Sequence, residues 1–138
     1  MLLTKLLHPE ILGVLAKSGH GSKILITDGN FPVMTKVPAQ AAKVFLNLTP
    51  DMVKVTDVLS VLSKTIPIES AEIMMPPDSG QEPQIHSEFK TLLENKFEFT
   101  KSKKSDFYKS VETKDICIAI VTADRRRFAN ILITIGVA

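Results

Sequence analysis

The sequence contains one cysteine and a small net charge, and each of these shortages excludes a class of function. Cys117 lies inside an apolar run, so neither an intrachain disulfide nor a cysteine-based metal site is available. A formal net charge of +2 is too small to favour nucleic acid or a membrane surface as a partner. No segment is apolar for long enough to span a bilayer. The composition therefore predicts a globular, cytoplasmic protein.

Motifs for nucleotide binding and for metal binding are also missing. The glycines have neither the G-x-G-x-x-G spacing nor that of a phosphate-binding loop. The three histidines, His8, His20 and His86, do not combine with carboxylates into a ligand set of credible spacing, so no metal is expected. No repeat or low-complexity linker divides the chain, and residues 1–138 are predicted to form one domain.

Apolar runs alternate with helix signals along most of the chain. A polar loop is predicted over 76–83, and the other segments alternate as an α/β fold requires. The sheet is predicted to be mixed and mostly parallel, with helices on both faces in three αβα layers. The last two strands are predicted to be antiparallel because their connector is short. Strands are predicted over 23–27, 42–48, 71–75, 97–99, 116–121 and 131–137, and helices over 8–18, 55–65, 84–95 and around 107–111.

Two polar residues flank the first predicted strand. His20 lies between two glycines, which allow backbone conformations closed to other residues and set the imidazole at the edge of an element. Histidine is the natural proton shuttle at neutral pH. Asp28 follows the strand, where an α/β fold presents polar groups to a ligand. Together they predict a small proton-transfer site, the alternatives being a surface or capping role for His20 and a turn-capping role for Asp28.

The remaining polar features have structural interpretations at this stage. His8 is predicted at a helix start, and His86 in an exposed helix. The cluster Arg125-Arg126-Arg127 indicates a solvated or subunit-contacting loop. A phosphate or nucleic-acid role for these arginines would require a basic face or a binding module elsewhere, and neither is found in the sequence.

Several short segments, in order and at matching spacing, resemble the D-ribose pyranase / L-fucose mutarotase family of small cytoplasmic sugar-handling proteins. The resemblance implies one pyranase/mutarotase-like domain over 1–138 that works without a cofactor. It also implies a ring-like homo-oligomer, such as a decamer, with sites near subunit boundaries. The matching segments are Pro9-Glu10-Ile11-Leu12, Gly19-His20-Gly21, Asp28-Gly29-Asn30-Phe31-Pro32, Met74-Met75, Phe107-Tyr108, Phe128-Ala129-Asn130-Ile131-Leu132 and Gly136-Val137.

The resemblance also implies roles for individual residues. His20 matches the catalytic acid/base of the family, and Asp28 matches its ligand-binding aspartate. Lys104 occupies a sugar-binding position where family members have arginine or histidine, which keeps a donor but changes its geometry. Phe128, Ala129 and Asn130 match a tyrosine, a small residue and an asparagine. Phe128 therefore lacks a hydroxyl, although its ring still offers a stacking face.

The implied activity is that of an isomerase acting on ribose- or fucose-like monosaccharides. It interconverts anomers, or pyranose and furanose forms, with His20 shuttling the proton while Asp28, Lys104 and Asn130 hold the sugar. The chief alternative is a non-catalytic monosaccharide-binding or regulatory protein on the same fold. A phosphate- or nucleic-acid-binding protein is a third, weaker interpretation. The expected partners are a monosaccharide and further copies of this chain, with no nucleic acid and no membrane.

Overall fold

A computed structural model describes residues 1–77 and 81–138, so the centre of the polar loop predicted over 76–83 lies outside the described residues. The strands form one sheet in the order β2-β5-β1-β6-β3-β4. β6 is antiparallel to both of its neighbours, and the other pairings are parallel, as predicted for a mixed sheet. The strands are β1 (Lys23–Thr27), β2 (Ala42–Phe45), β3 (Ile68–Met74), β4 (Thr100–Ser102), β5 (Ile116–Val121) and β6 (Ile131–Ile135).

Helices cover both faces of this sheet, which confirms the predicted three-layer arrangement. Strand side chains alternate between two cores: Ile24 and Ile26 of β1 join one, and Leu25 joins the other. The first core contains buried residues of three helices, α1 (Pro9–Leu15), α3 (Val55–Leu62) and α4 (Gln84–Leu92). The second contains residues of α2 (Val33–Lys36) and α5 (Lys104–Val111).

The first helix begins where the sequence predicts it and ends earlier. His8 is the residue before its first turn, and its Nδ1 accepts a hydrogen bond from the Ile11 N–H at 3.4 Å. Pro9 takes the first helical position, where no N–H is needed. The helix ends at Leu15 rather than at Gly19. Among the glycines that the structure describes, Gly21 is the one with a left-handed backbone, at φ 86°.

Two segments differ in kind from the sequence prediction. Residues 97–99 are not a strand, and the edge strand β4 begins at Thr100. The alternation of Phe97 and Phe99 with a polar residue does not reflect a strand here. The two rings pack on each other in an irregular segment beside the first core, with centroids 5.9 Å apart. The one-turn helix α2 is absent from the predicted helices, because it is only four residues long and follows Pro32.

The last two strands run in opposite directions, as the short connector predicts, but they are not neighbours. β1 lies between them, parallel to β5 and antiparallel to β6. As a result the chain leaves β1, β3 and β5 and enters β6 at a single edge of the sheet. Residues that follow β1, such as Asp28, meet residues that precede β6, such as Asn130, at that edge.

Candidate functional site

An open cavity of about 1040 Å³ lies at this edge of the sheet. Its size is at the upper end of the range for small-molecule sites, and such sites favour the carboxyl ends of strands in α/β folds. The residues that line it come from the loop after β1, the end of β3, the start of α5 and the loop before β6. They include Asp28, Asn30, Phe31, Met74, Lys103, Lys104, Tyr108, Arg127, Phe128 and Asn130.

A pair formed by Asp28 and Asn130 occupies the floor of the cavity. Asn130 Nδ2 donates to Asp28 Oδ2 at 3.0 Å, and the Asp28 N–H donates to Asn130 Oδ1 at 3.0 Å. The Asn30 N–H donates to Asp28 Oδ1 at 2.8 Å. Both side chains are almost fully buried. Each carboxylate oxygen keeps a further lone pair to accept a ligand hydroxyl, and the pair holds the loops around β1 and β6 in fixed register.

Burial raises the pKa of Asp28 above its ordinary value. Hydrogen bonds from Asn30, Asn130 and the Phe31 backbone act in the opposite direction, but desolvation is larger, and the negative charge of Asp124 adds to it. A carboxylate with a raised pKa in a ligand cavity is typical of groups that exchange protons or hydrogen bonds with a substrate. Asp28 is therefore a chemically competent member of this site.

Aromatic rings and cations form the walls. Phe31 contacts Tyr108 edge-to-face, with ring centroids 5.6 Å apart. The Lys104 ammonium lies 5.5 Å from the Tyr108 centroid, which places this lysine on the same side of α5 as the tyrosine. The Arg127 guanidinium lies 5.6 Å from the Phe128 ring. Flat apolar faces beside donor groups suit a ligand that has both C–H surfaces and hydroxyls.

A buried histidine donates a hydrogen bond to the backbone of the loop before β6. Phe128 has a left-handed backbone, at φ 64°, which is unfavourable for a residue with a bulky side chain. His86 Nε2 donates to the Phe128 carbonyl oxygen at 3.1 Å. His86 is fully buried, so its predicted place in an exposed helix is wrong. It lies beside the Ile85 and Phe89 face of α4 rather than on the solvent face.

His20 lies at the opposite edge of the sheet from Asp28 in the same chain. It precedes β1 and Asp28 follows it, and a five-residue strand is about 13 Å long between its end Cα atoms. His20 Nε2 lies 2.9 Å from Glu69 Oε2, and both side chains are about half exposed. The prediction that His20 and Asp28 meet is therefore wrong within one copy of the chain.

Within the arginine cluster, two side chains pair with carboxylates, so the prediction of a solvated loop holds only in part. Arg126 donates from Nε and Nη2 to the buried Asp124, at 2.9 and 2.7 Å, and from Nη1 to both oxygens of Glu88. Burial raises the pKa of Asp124, but bonds from Arg126 and from the Val55 N–H outweigh it and lower that pKa. Arg125 pairs with Asp51.

Ala129 is fully buried in the first core, so its side chain packs there rather than in the cavity. Among residues 1–77 and 81–138, no group of three histidine, cysteine or acidic side chains is arranged to hold a metal ion. In the same part of the chain, no helix is long and apolar enough to cross a membrane.

The profile of the RbsD / FucU transport protein family matches residues 1–138. The chain belongs to this family. A D-ribose pyranase from Variovorax paradoxus is 37% identical over 70 residues, which are 51% of this chain and 50% of that protein. The chain thus matches about half the length of this curated relative.

Solved structures show the same fold. The structure of Bacillus subtilis RbsD complexed with D-ribose has a TM-score of 0.84 at 23% identity, covering 100% of this chain and 99% of that one. The fucose mutarotase of Streptococcus pneumoniae, in complex with L-fucose, has a TM-score of 0.80 at 21% identity, covering 94% and 93%. Both likenesses extend over nearly the whole chain.

Sequence reasoning missed three side chains of the site. Tyr108 is the single tyrosine and follows Lys104 by four residues, a spacing that places both on one side of a helix. Arg127 belongs to the cluster that the sequence predicts as a solvated or subunit-contacting loop, next to Phe128, which the family resemblance places at the site. No sequence signal identified His86, because its partner is a backbone carbonyl 42 residues further along the chain.

Proposed function

We propose that this protein interconverts the ring forms of a monosaccharide, as a mutarotase or pyranase, without a cofactor. The observation that carries the proposal is the buried Asp28–Asn130 pair on the floor of a cavity walled by aromatic rings and lysines. Carboxylate and amide groups recognise sugar hydroxyls, while Phe128 and Tyr108 offer flat surfaces to sugar C–H groups. The identity to a protein named D-ribose pyranase supports the same reaction.

The chemistry requires proton transfer and little else. The ring oxygen gains a proton while the anomeric hydroxyl loses one, the ring opens to the aldehyde, and it closes again on either face or through another hydroxyl. Ring opening already occurs in water, and one positioned acid/base group contributes about 10²- to 10⁴-fold. Asp28, with its raised pKa, accepts hydroxyl protons in hydrogen bonds at the floor, and Lys104 and Asn130 orient the ring.

We infer further that the shuttle, His20, acts in the cavity of a second copy of this chain. Its half-exposed imidazole lies at the edge of the sheet opposite its own cavity, and so it is accessible to another subunit. A head-to-tail contact between copies brings one edge of the sheet to the opposite edge of the next and closes into a ring when the rotation allows. The proposed form is therefore a homo-oligomer in which sites lie between subunits.

The test is NMR magnetisation exchange between ring forms of ribose and of fucose, with and without the protein. We expect faster exchange with the unmodified protein and no acceleration with His20→Ala. His8→Asn is the matched control, because asparagine also caps a helix and His8, the residue before α1, does not line the cavity. Full activity of His20→Ala, or a monomer by light scattering, would contradict the proposed shared site.

A non-catalytic sugar-binding protein is the second candidate, and Phe128 is the observation that favours it. The phenylalanine provides stacking surface but no hydroxyl at the wall of the cavity. A binding protein would take up ribose or fucose in calorimetry without changing the NMR exchange rate. Phe128→Tyr separates the two functions, because an added hydroxyl raises exchange only where the proton shuttle already operates.

A cytoplasmic location is part of the same proposal. Support comes from the sugar-handling family to which the chain belongs and from the free, partly buried thiol of Cys117. Fractionation of cells that produce the chain tests it, with the protein expected in the cytosolic fraction and a periplasmic or membrane fraction contradicting it.

A further inference from the structure

We infer that His86 is a positioning residue, which fixes the Phe128–Asn130 wall of the cavity and thereby sets its affinity for sugar. The effect on sugar affinity rests on the proposed function, whereas the effect of His86 on the loop conformation does not. His86 touches no residue that we assign to proton transfer. It acts through the backbone of the loop before β6, to which its side chain donates the one hydrogen bond that it makes among the described residues.

The burial of His86 shows that the contact is specific. Its side chain has no exposed surface, and burying a polar ring is costly unless it gains a hydrogen bond. The carbonyl oxygen of Phe128 can only accept, so Nε2 carries the proton in the 3.1 Å bond. Nδ1 is then the unprotonated nitrogen, and it has no hydrogen-bond partner within the described residues.

Burial lowers the pKa of His86 below its ordinary value and so favours the neutral ring, and the nearby charges contribute less. Glu82 Oε1 lies 3.8 Å from Nδ1, too far for a hydrogen bond, and Glu82 is paired with Lys101 at 3.4 Å. Lys90 and Lys101 oppose a positive charge on the imidazole, and the Phe89 ring stacks on it at 6.1 Å. The bond to Phe128 is thus made by a neutral donor in an apolar setting, where a hydrogen bond is strong and its loss is costly.

The carbonyl group that accepts the His86 hydrogen bond belongs to Phe128, whose backbone conformation determines the shape of the cavity wall. Phe128 is left-handed at φ 64°, a conformation that persists where surrounding contacts over-determine it. Ala129 is locked in the core, and Asn130 makes the two bonds to Asp28. If the Phe128 carbonyl loses its donor, the peptide can rotate toward a favourable conformation, which moves the Phe128 ring and tilts Asn130.

The experiment compares three variants of the full chain. His86→Leu removes the donor, His86→Gln keeps an N–H at a similar reach, and Ile85→Ala removes core volume one residue away while keeping the donor of His86. Sugar affinity is measured by titration with ribose and fucose. Backbone amide resonances of Ala129 and Asn130 report the loop itself, a readout that general destabilisation of α4 would not move.

We expect His86→Leu to weaken sugar binding by about tenfold and to shift both amide resonances, a factor that corresponds to the loss of one buried hydrogen bond. His86→Gln should restore most of the affinity, and Ile85→Ala should keep it. Wild-type affinity and wild-type amide positions in His86→Leu would overturn the inference, as would an equal loss in Ile85→Ala. If His86→Leu does not fold, His86→Asn replaces it, because its amide is too short to reach Phe128.

The two proposals fail in different ways. Absence of sugar binding by the unmodified protein would refute the proposed function. The amide resonances of Ala129 and Asn130 would still decide whether His86 fixes the loop, since they are measured without sugar. Unchanged resonances in His86→Leu, with sugar binding intact in the unmodified protein, would refute the inference alone.

Discussion

Replacing Arg126 by methionine should destabilise the protein far more than the same change at Arg125. Arg126 lies between two carboxylates: its Nε and Nη2 bind the fully buried Asp124, and its Nη1 binds Glu88. Methionine fills similar space but has no donor, so Asp124 is left with the backbone N–H groups of Val55 and of residue 126. A buried carboxylate without its cation is the source of the cost.

The expected loss of stability in Arg126→Met depends on how far the Arg126–Asp124 ion pair is exposed to water. Removing one partner of a fully buried ion pair costs about 3–5 kcal/mol, whereas exposed pairs contribute about 0–1 kcal/mol. Asp124 has no exposed side-chain surface but Arg126 is 34% exposed, so water screens the pair in part. An intermediate cost of about 2 kcal/mol is expected. For a chain of this length it corresponds to a fall in Tm of about 7 °C.

Differential scanning calorimetry at neutral pH provides the assay, with Arg125→Met as the matched control. Arg125 also pairs with a carboxylate, Asp51, but its side chain is 72% exposed and the pair is on the surface. Its replacement should lower Tm much less. An equal fall in Tm for the two variants, or none for Arg126→Met, would refute the assignment of Arg126 to a buried structural network.

Three further predictions concern stability and the cavity wall. Burial holds the pKa of His86 below its ordinary 6.5, so the imidazole binds a proton more readily in the unfolded chain than in the folded one. The free energy of unfolding should therefore decrease as pH falls below about 6.5. Urea titrations of His86→Gln should lack this decrease. Phe107 is fully buried, and Phe107→Ala should cost about 3–5 kcal/mol in urea unfolding, whereas Met34→Ala at an exposed site should cost little. Phe128→Tyr should leave Tm nearly unchanged, because its ring faces the cavity, and should alter the exchange rate measured by NMR.

The elements that the sequence predicts best are those with unbroken apolar runs. β1, β5 and β6 are buried on both faces, so most of their residues are apolar and polar residues mark their ends. The edge strand β4 has no such signal, because its three residues are polar or exposed. The neighbouring alternation of Phe97 and Phe99 reflects packing of two rings in an irregular segment.

The residues of the site also differ in how far local sequence predicts their positions. Asp28 could be predicted because it directly follows a buried strand, whereas its partner Asn130 was expected only from the family resemblance. The long-range placement of His20 and His86 could not be predicted. One lies half-exposed beside Glu69 at the far edge, and the other is buried under a carbonyl, and neither depends on local sequence. Both positions are set by the sheet order, which local patterns do not contain.

The central claim, that His20 of one copy completes the cavity of another, is tested most directly by complementation. His20→Ala and Asp28→Asn each remove one half of the proposed site, so each variant alone should leave ring-form exchange at the rate in water. When the two variants are co-expressed in equal amounts and assemble at random, about a quarter of the sites should combine an intact His20 with an intact Asp28. NMR should then show about a quarter of the wild-type acceleration. A mixed oligomer that remains inactive would contradict the shared site.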